Sequence, residues 1–207
     1  LIRCMVPLAQ LLKQLWSEVY QSNINTNLSE KSLKSLCLDR QLIQWRAQLP
    51  SILDLEKTSL TEPEYITKQK IVLKLRFLNA RILFHRPFLI TAATESKRSL
   101  YLTHVELCVE ASRETINLLY DAYMYRPYFR TWWYNTTYTL YASMILLYVV
   151  LSNIQPSLEA DMLSDAEKSL DIFKAMNMVA VARRCAEITR EVLEIARKSV
   201  QERREQI

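Results

Sequence analysis

The stretch IVLKLRFLNARILFHRPFLI, Ile71 to Ile90, decides the fold. Ile71, Leu75, Leu78 and Ile82 recur at the three-to-four-residue spacing of one helical face, and Val72, Leu83 and Phe84 widen the stripe. So broad a stripe belongs to a helix with neighbours on several sides. Pro87 ends it, because proline has no amide donor and biases His85 and Arg86 away from further helix. Phe88 and Leu89 are then expected to tuck back. Upstream, Thr61-Glu62-Pro63-Glu64 reads as a capping box, with the threonine side chain accepting from the third backbone amide and Glu64 reaching back. The central helix should therefore run from here to about Arg86, a rod of roughly 35 Å.

Working outward, the spacing predicts a helix from Pro7 to Tyr20 with Leu8, Leu11, Leu12, Leu15, Trp16 and Val19 inward and Pro7 in its first turn. The Asn-rich segment Gln21 to Asn27 reads as a loop, and Ser29 as the cap of a second helix carrying Leu33, Leu38, Leu42, Trp45 and Leu49 to Pro50. Beyond the central helix, Thr91 to Ser99 is a polar connection. Ser99 is placed to cap a helix that displays Val105, Cys108, Ile116, Leu119 and Tyr123 and stops at Pro127. Thr131 to Ile154 is the most apolar segment, but its uninterrupted run, Leu140 to Asn153, falls short of the 18 or so residues of a membrane span. It reads as a core helix. After Pro156, Leu163, Ala166, Leu170 and Phe173 mark a short helix that Asn177 interrupts. Val181, Cys185, Ile188, Val192 and Ile195 mark the last, whose charged tail, Arg197 to Ile207, is expected to fray. No repeat of fixed period is present. The expectation is an all-α chain, a single irregular bundle of about six to eight helices around the buried central one.

Composition narrows the chemistry. The 207 residues include no glycine, where roughly 7% is usual. Phosphate-cradling loops, dinucleotide fingerprints and nucleophile elbows all need glycine where the backbone crowds a ligand or takes positive φ, so these classes are disfavoured. A net charge of +5 comes from basic residues interleaved with acids, unlike the clustered footprint of a nucleic-acid binder. The cysteines Cys4, Cys37, Cys108 and Cys185 are far apart on apolar helical faces and read as small buried hydrophobes. With only His85 and His104 beside them, no zinc-ligand spacing arises. Asp161, Asp165 and Asp171 read as helix-start and surface residues rather than a magnesium-diphosphate cluster.

Arg76, Arg81 and Arg86, five residues apart, rotate about 140° at each step and form no single stripe. Arg86 is placed to reach carbonyls freed at the helix end, and His85 to interact with the helix dipole there. The aromatic run from Tyr123 to Tyr141 reads chiefly as core. Tyr128, Trp132, Trp133 and Tyr138, together with His85 and Arg86, form the candidate effector or partner site.

The string Asn79 to Leu89, NARILFHRPFL, resembles the ARILLHRPFL signature of the fungal-specific transcription factor regulatory domain, the middle homology region of binuclear-zinc-cluster activators. The resemblance extends to Trp45 and Leu49-Pro50 upstream, to Cys108, Ala111, Arg113 and Ile116 downstream, and to the helix led by Trp132-Trp133. It covers roughly residues 40 to 200. Ser112 departs from it, since the family more often has alanine there. The resemblance implies structural roles for Trp45, Pro50, Arg81, Arg86, Pro87, Phe88 and Cys108, and one helical regulatory domain over residues 1–207, a fragment of a larger middle homology region. It further implies a nuclear, non-enzymatic protein that controls transcription activation through contacts with other segments of the same factor, a co-regulator or a small-molecule effector. Homodimerisation is also expected, and membrane attachment is not. Zinc would sit in a separate N-terminal cluster of six cysteines that reads DNA, with no cofactor in this segment. The apolar residues Leu1 to Val6 suggest further helical sequence before them. The competing expectations are a general helical interaction scaffold and a helical enzyme acting on an apolar substrate.

Overall fold

The computed structural model describes residues 1–21, 27–57, 62–94, 97–126, 132 and 134–205. Eight α-helices and no strand occur among them, so the all-α expectation holds. The chain forms two compact units, Leu1–Pro87 and Phe88–Ile207.

The first unit contains α1 (Ile2–Leu15), a π-helical turn (Trp16–Tyr20), α2 (Leu28–Ala47), a 3-10 turn (Ser51–Leu53) and α3 (Glu64–His85). Helix α1 starts earlier than its spacing predicts, which puts Pro7 inside the helix rather than in its first turn. Proline there removes the bond to the Arg3 carbonyl, and both residues lie on the exposed side of the helix, where the loss costs least. In the π turn the Gln21 amide reaches back five residues to the Trp16 carbonyl (2.8 Å). The wider turn keeps Val19 buried but leaves Trp16, expected inward, 56% exposed.

Asn27 caps α2 in place of Ser29, its side chain accepting from the Ser29 amide at 3.1 Å. The buried face of α2 is Ser35, Leu38, Asp39, Leu42 and Trp45. Leu33 lies two residues before that face begins, about 200° round the helix, and is 69% exposed rather than inward. The Trp45 indole donates to the Cys4 carbonyl (2.7 Å) and its ring stacks on Phe77, tying α1, α2 and α3 together.

Helix α3 buries two opposite faces, Ile71, Leu75, Leu78 and Ile82 on one and Ile66, Leu73, Phe77, Ala80 and Phe84 on the other. The sequence stripe is broad because there are two of them; Val72 and Leu83, between, are only half-buried. At its start, Thr61 lies outside the described residues and Pro63 is the N-cap. Glu64 pairs with Lys68 one turn on, while Glu62 receives the Thr67 hydroxyl (2.9 Å) and the buried Lys70 ammonium.

The second unit holds α4 (Leu89–Ala92), α5 (Arg98–Tyr125), α6 (Asn135–Leu151), α7 (Glu159–Ala175) and α8 (Ala180–Glu205). Helix α5 packs on α4, α6 and α7, and α8 on α6 and α7. Phe88 is buried, stacks on Tyr101 and lies tilted against His104, 4.0 Å between ring centres. Lys97, not Ser99, precedes α5, whose predicted inward residues are all buried. Pro127 lies outside the described residues. No helix among the described residues is long and apolar enough to cross a membrane.

Without glycine, the end of α6 takes a left-handed residue from asparagine. Asn153 has φ 49°, its amide reaches the Val150 carbonyl (3.1 Å), and the Ile154 amide reaches that of Val149 (3.3 Å). This is the paired closure of a Schellman motif, with the buried Ile154 as its apolar contact.

Two readings of α8 need correction. Its core face is Ala182, Cys185, Thr189, Leu193, Ala196 and Val200, whereas Val181 and Ile195 are more than half exposed. Small residues let α8 approach its neighbours closely, so packing selected a face poorer in large aliphatics than the one the spacing picks out. Its tail is helical to Glu205 rather than frayed, because Arg203 bridges to the buried Glu159 and donates to the Val150 carbonyl (3.2 Å). Among the cysteines, Cys108 and Cys185 are buried as expected, Cys4 is half-buried, and Cys37 is exposed.

Candidate functional site

The last turn of α3 carries the polar residues of the motif, and in the first unit they converge on two side chains of α2 and one of the π turn. An α-helix ends with carbonyls that lack intrahelical donors. In α3 the Arg86 amide takes the Ile82 carbonyl, the Tyr20 hydroxyl donates to that of Leu83 (2.8 Å), and the Ser35 hydroxyl to that of Phe84. One turn of α2 beyond Ser35, Asp39 accepts from the Arg81 guanidinium (3.1 Å), and the fully buried His85 places Nε2 3.5 Å from the same carboxylate oxygen. Burial alone would raise the Asp39 carboxyl, but His85 and Arg81 outweigh it and hold the group below its ordinary value. Asp39 is thus a buried carboxylate kept ionised beside the Arg81 guanidinium, which is the condition for leaving it in a core.

Arg86 is exposed. It does not reach the freed carbonyls itself; its Nε donates to the Tyr20 hydroxyl (3.0 Å) and its guanidinium lies 5.6 Å from the Tyr20 ring centre. Tyr20 in turn stacks on the exposed Trp16 at 5.7 Å between ring centres. The result is a row, Trp16, Tyr20 and Arg86, laid over a buried clasp of Ser35, Asp39, Arg81 and His85. The π turn makes this arrangement, since it is Trp16 and Tyr20 that it re-aims.

Sequence reading placed His85 and Arg86 here, with His85 assigned to the helix end; its partner is instead a carboxylate of α2. It missed Tyr20, Ser35 and Asp39. The detectable signal was Asp39 itself, a charge at a position where the α2 periodicity demands burial, between Leu38 and Leu42. Arg76, Arg81 and Arg86 diverge as their spacing requires, with Arg76 and Arg86 exposed and Arg81 turned inward. Trp45, Phe88 and Cys108 are buried, Pro87 is half-buried, and Pro50 is exposed between α2 and the 3-10 turn.

Of the candidate aromatics in the second unit, Tyr128 and Trp133 lie outside the described residues. Trp132 and Tyr138 are half-buried. The Trp132 carbonyl accepts from the buried Tyr123 hydroxyl (2.8 Å), which accepts in turn from the Asn135 amide (3.2 Å). Burial pushes Tyr123 up to about 12, so it stays neutral and serves as a fixed strut.

The second unit has its own buried carboxylate. Asp165, read from sequence as a surface residue, is 2% exposed and receives Arg113 Nε (2.7 Å) and Lys168 Nζ (2.9 Å), while Asp161 takes the other arm of Arg113 (3.2 Å). The hydrogen bond to Asp165 raises Arg113 above its ordinary value. Beside this network runs an open groove of about 440 Å³ lined by Glu106, Glu110, Arg113, Glu114, Asn117 and Gln155. In the first unit a groove of about 290 Å³ lies over Trp45 with five glutamines on its walls. No cluster of three or more His, Cys, Asp or Glu side chains fit to hold a metal ion occurs among the described residues.

Fold and site together define a class, an all-helical protein whose motif residues fasten one helix end and leave an aromatic and cationic row on the surface above it. Comparison with family models, curated proteins and solved structures finds no match.

Proposed function

We propose that this chain is a regulatory domain of the kind found in fungal zinc-cluster transcription factors, controlling activation through contacts with another segment of the same factor, a co-regulator or a small-molecule effector. The observation that carries the reading is the clasp. Arg81, His85 and Arg86 of the NARILFHRPFL string each have a fastening partner at the end of α3, and the boundary between the two units falls inside the same string, at Pro87-Phe88. The motif that supports the family resemblance thus has a physical task here, to set where and how the chain leaves α3. Tryptophan, tyrosine and arginine are the side chains that dominate protein interfaces, and the row of exposed Trp16 and Arg86 with half-buried Tyr20 between them supplies the contact surface in this reading. The domain itself does no chemistry. Zinc and DNA contact belong to a separate cysteine cluster of the same protein, and the protein works in the nucleus. Regulation is a shift between two packings biased by whatever binds the row.

The test inserts the chain between a heterologous DNA-binding domain and a strong activation domain in a yeast reporter strain. Reporter output should change several-fold on insertion, and Trp16→Ala should return it toward that of the fusion without the chain. Equal output from all three fusions would refute the regulatory role. A catalytic domain rather than a six-cysteine cluster in the complete reading frame would refute the family assignment.

A further inference from the structure

The groove over Trp45, between α1 and α2, is walled by five of the chain's ten glutamines and by no ionisable side chain. We propose that it binds an extended, uncharged segment of a partner protein by its main chain. Gln10 and Gln14 stand on α1, and Gln41, Gln44 and Gln48 on α2. The two helices run antiparallel, with the Trp45 indole on the Cys4 carbonyl at one end and Glu18 within electrostatic reach of Lys34 at the other. Gln41 Nε2 lies 3.7 Å from Cys37 Sγ. The other four glutamines are exposed, and their side-chain amides make no hydrogen bond among the described residues.

A primary amide carries the donors and the acceptor of a peptide group, so it can pair with main chain through two reciprocal hydrogen bonds. The spacing fits that partner. Gln10 to Gln14 and Gln44 to Gln48 are each one turn apart, a rise of about 6 Å, and the groups on one edge of an extended chain recur every two residues, about 6.6 Å. From Gln41 to Gln48 the wall is about 10 Å long, the reach of roughly three extended residues. The same lining disfavours other occupants. A charged ligand would find no counter-charge in it. A sugar ring docks on an exposed aromatic face, and Trp45 offers none, being 6% exposed with its ring stacked on Phe77. Leu11 and Trp45, at the floor, are themselves buried, so little apolar area remains for a helix with a large apolar face. The site rests on α1 and α2 alone and does not depend on the regulatory reading.

An array of short blocked peptides, charged and uncharged, is probed with the 207-residue chain, and the strongest binders are measured by fluorescence polarisation. Binders should be uncharged, and N-methylation along them should abolish binding at alternate positions, the period of groups on one edge of an extended chain. Gln10→Ala and Gln44→Ala should each weaken binding roughly three- to tenfold. Helical circular dichroism and melting temperature should hold in both, since the positions are exposed and alanine is favoured in a helix. Trp16→Ala should leave binding unchanged. The proposal is overturned if no peptide distinguishes the chain from the Gln10→Ala, Gln44→Ala double variant, if the binders are charged, or if N-methylation is tolerated at every position. Retention of a neutral oligosaccharide that the double variant does not retain also overturns it. Loss on Trp16→Ala with Gln44→Ala silent assigns the peptide to the aromatic and cationic row and overturns this site.

Discussion

Replacing Asp39 by Asn tests the clasp while keeping its shape. The carboxylate is 5% exposed, its partners Arg81 and His85 14% and 0%, so the substitution removes a charge from a site that water barely reaches. Breaking a buried pair by neutralising one partner costs about 3 to 5 kcal/mol, because the surviving cation loses its compensation without regaining hydration. Asparagine still offers a carbonyl to Arg81, which sets the expectation near the lower end, about 3 kcal/mol. The sign with pH follows from the depressed carboxyl. A group whose folded value lies below its unfolded one contributes fully above the unfolded value, about 4, and loses that contribution as pH falls through the lower, folded value. The carboxylate's own part of the gap between wild type and Asp39→Asn should therefore be fully present above about 4 and close below it. Urea unfolding by circular dichroism measures the cost, and amide exchange over α2 and α3 shows whether it falls on the first unit. A loss under about 0.5 kcal/mol at neutral pH, the level of an ordinary surface substitution, would refute the reasoning.

Three further outcomes follow from packing and backbone geometry. Ile82→Ala empties a site that is 3% exposed and should cost about 2 to 5 kcal/mol in denaturant melts. Arg203→Ala removes the bridge to Glu159 and the bond to Val150, and should cost roughly 1.5 to 3 kcal/mol with faster amide exchange across residues 197–205. Asn153→Ala removes the short polar side chain that lets asparagine tolerate a left-handed position, at a cost of about 1 kcal/mol by thermal melting, whereas Asn153→Gly should be neutral or slightly stabilising.

Helix existence was legible in the sequence because periodicity and proline are local. The α5 face, the break near Asn177, the central helix to within a few residues of its ends and the shortness of the apolar run in α6 all follow from spacing alone. Faces were less legible. Two stripes on α8 both satisfied the helical period, and only packing against α6 and α7 chose the one with small residues, leaving Val181 and Ile195 outside. The π turn was invisible too, because one extra residue per turn changes which side chains face inward without changing composition, and it was this turn that put Tyr20 on the end of α3.

The same division runs through the clasp. Its α3 half, Arg81, His85 and Arg86, stood out as polar residues in an apolar helix that stops at a proline. Its other half, Ser35, Asp39 and Tyr20, lies 42 to 66 positions away along the chain, and a serine or aspartate there reads as solvated until a partner helix is laid against it. Sequence by itself determined that this protein is helical, where most of its helices stop and that nucleotide-cradling loops are disfavoured, since these depend on neighbours within a turn or two and on the lack of glycine. Tertiary structure decided which stripe of each helix is core and which buried charges meet, because those depend on what lies across the contact.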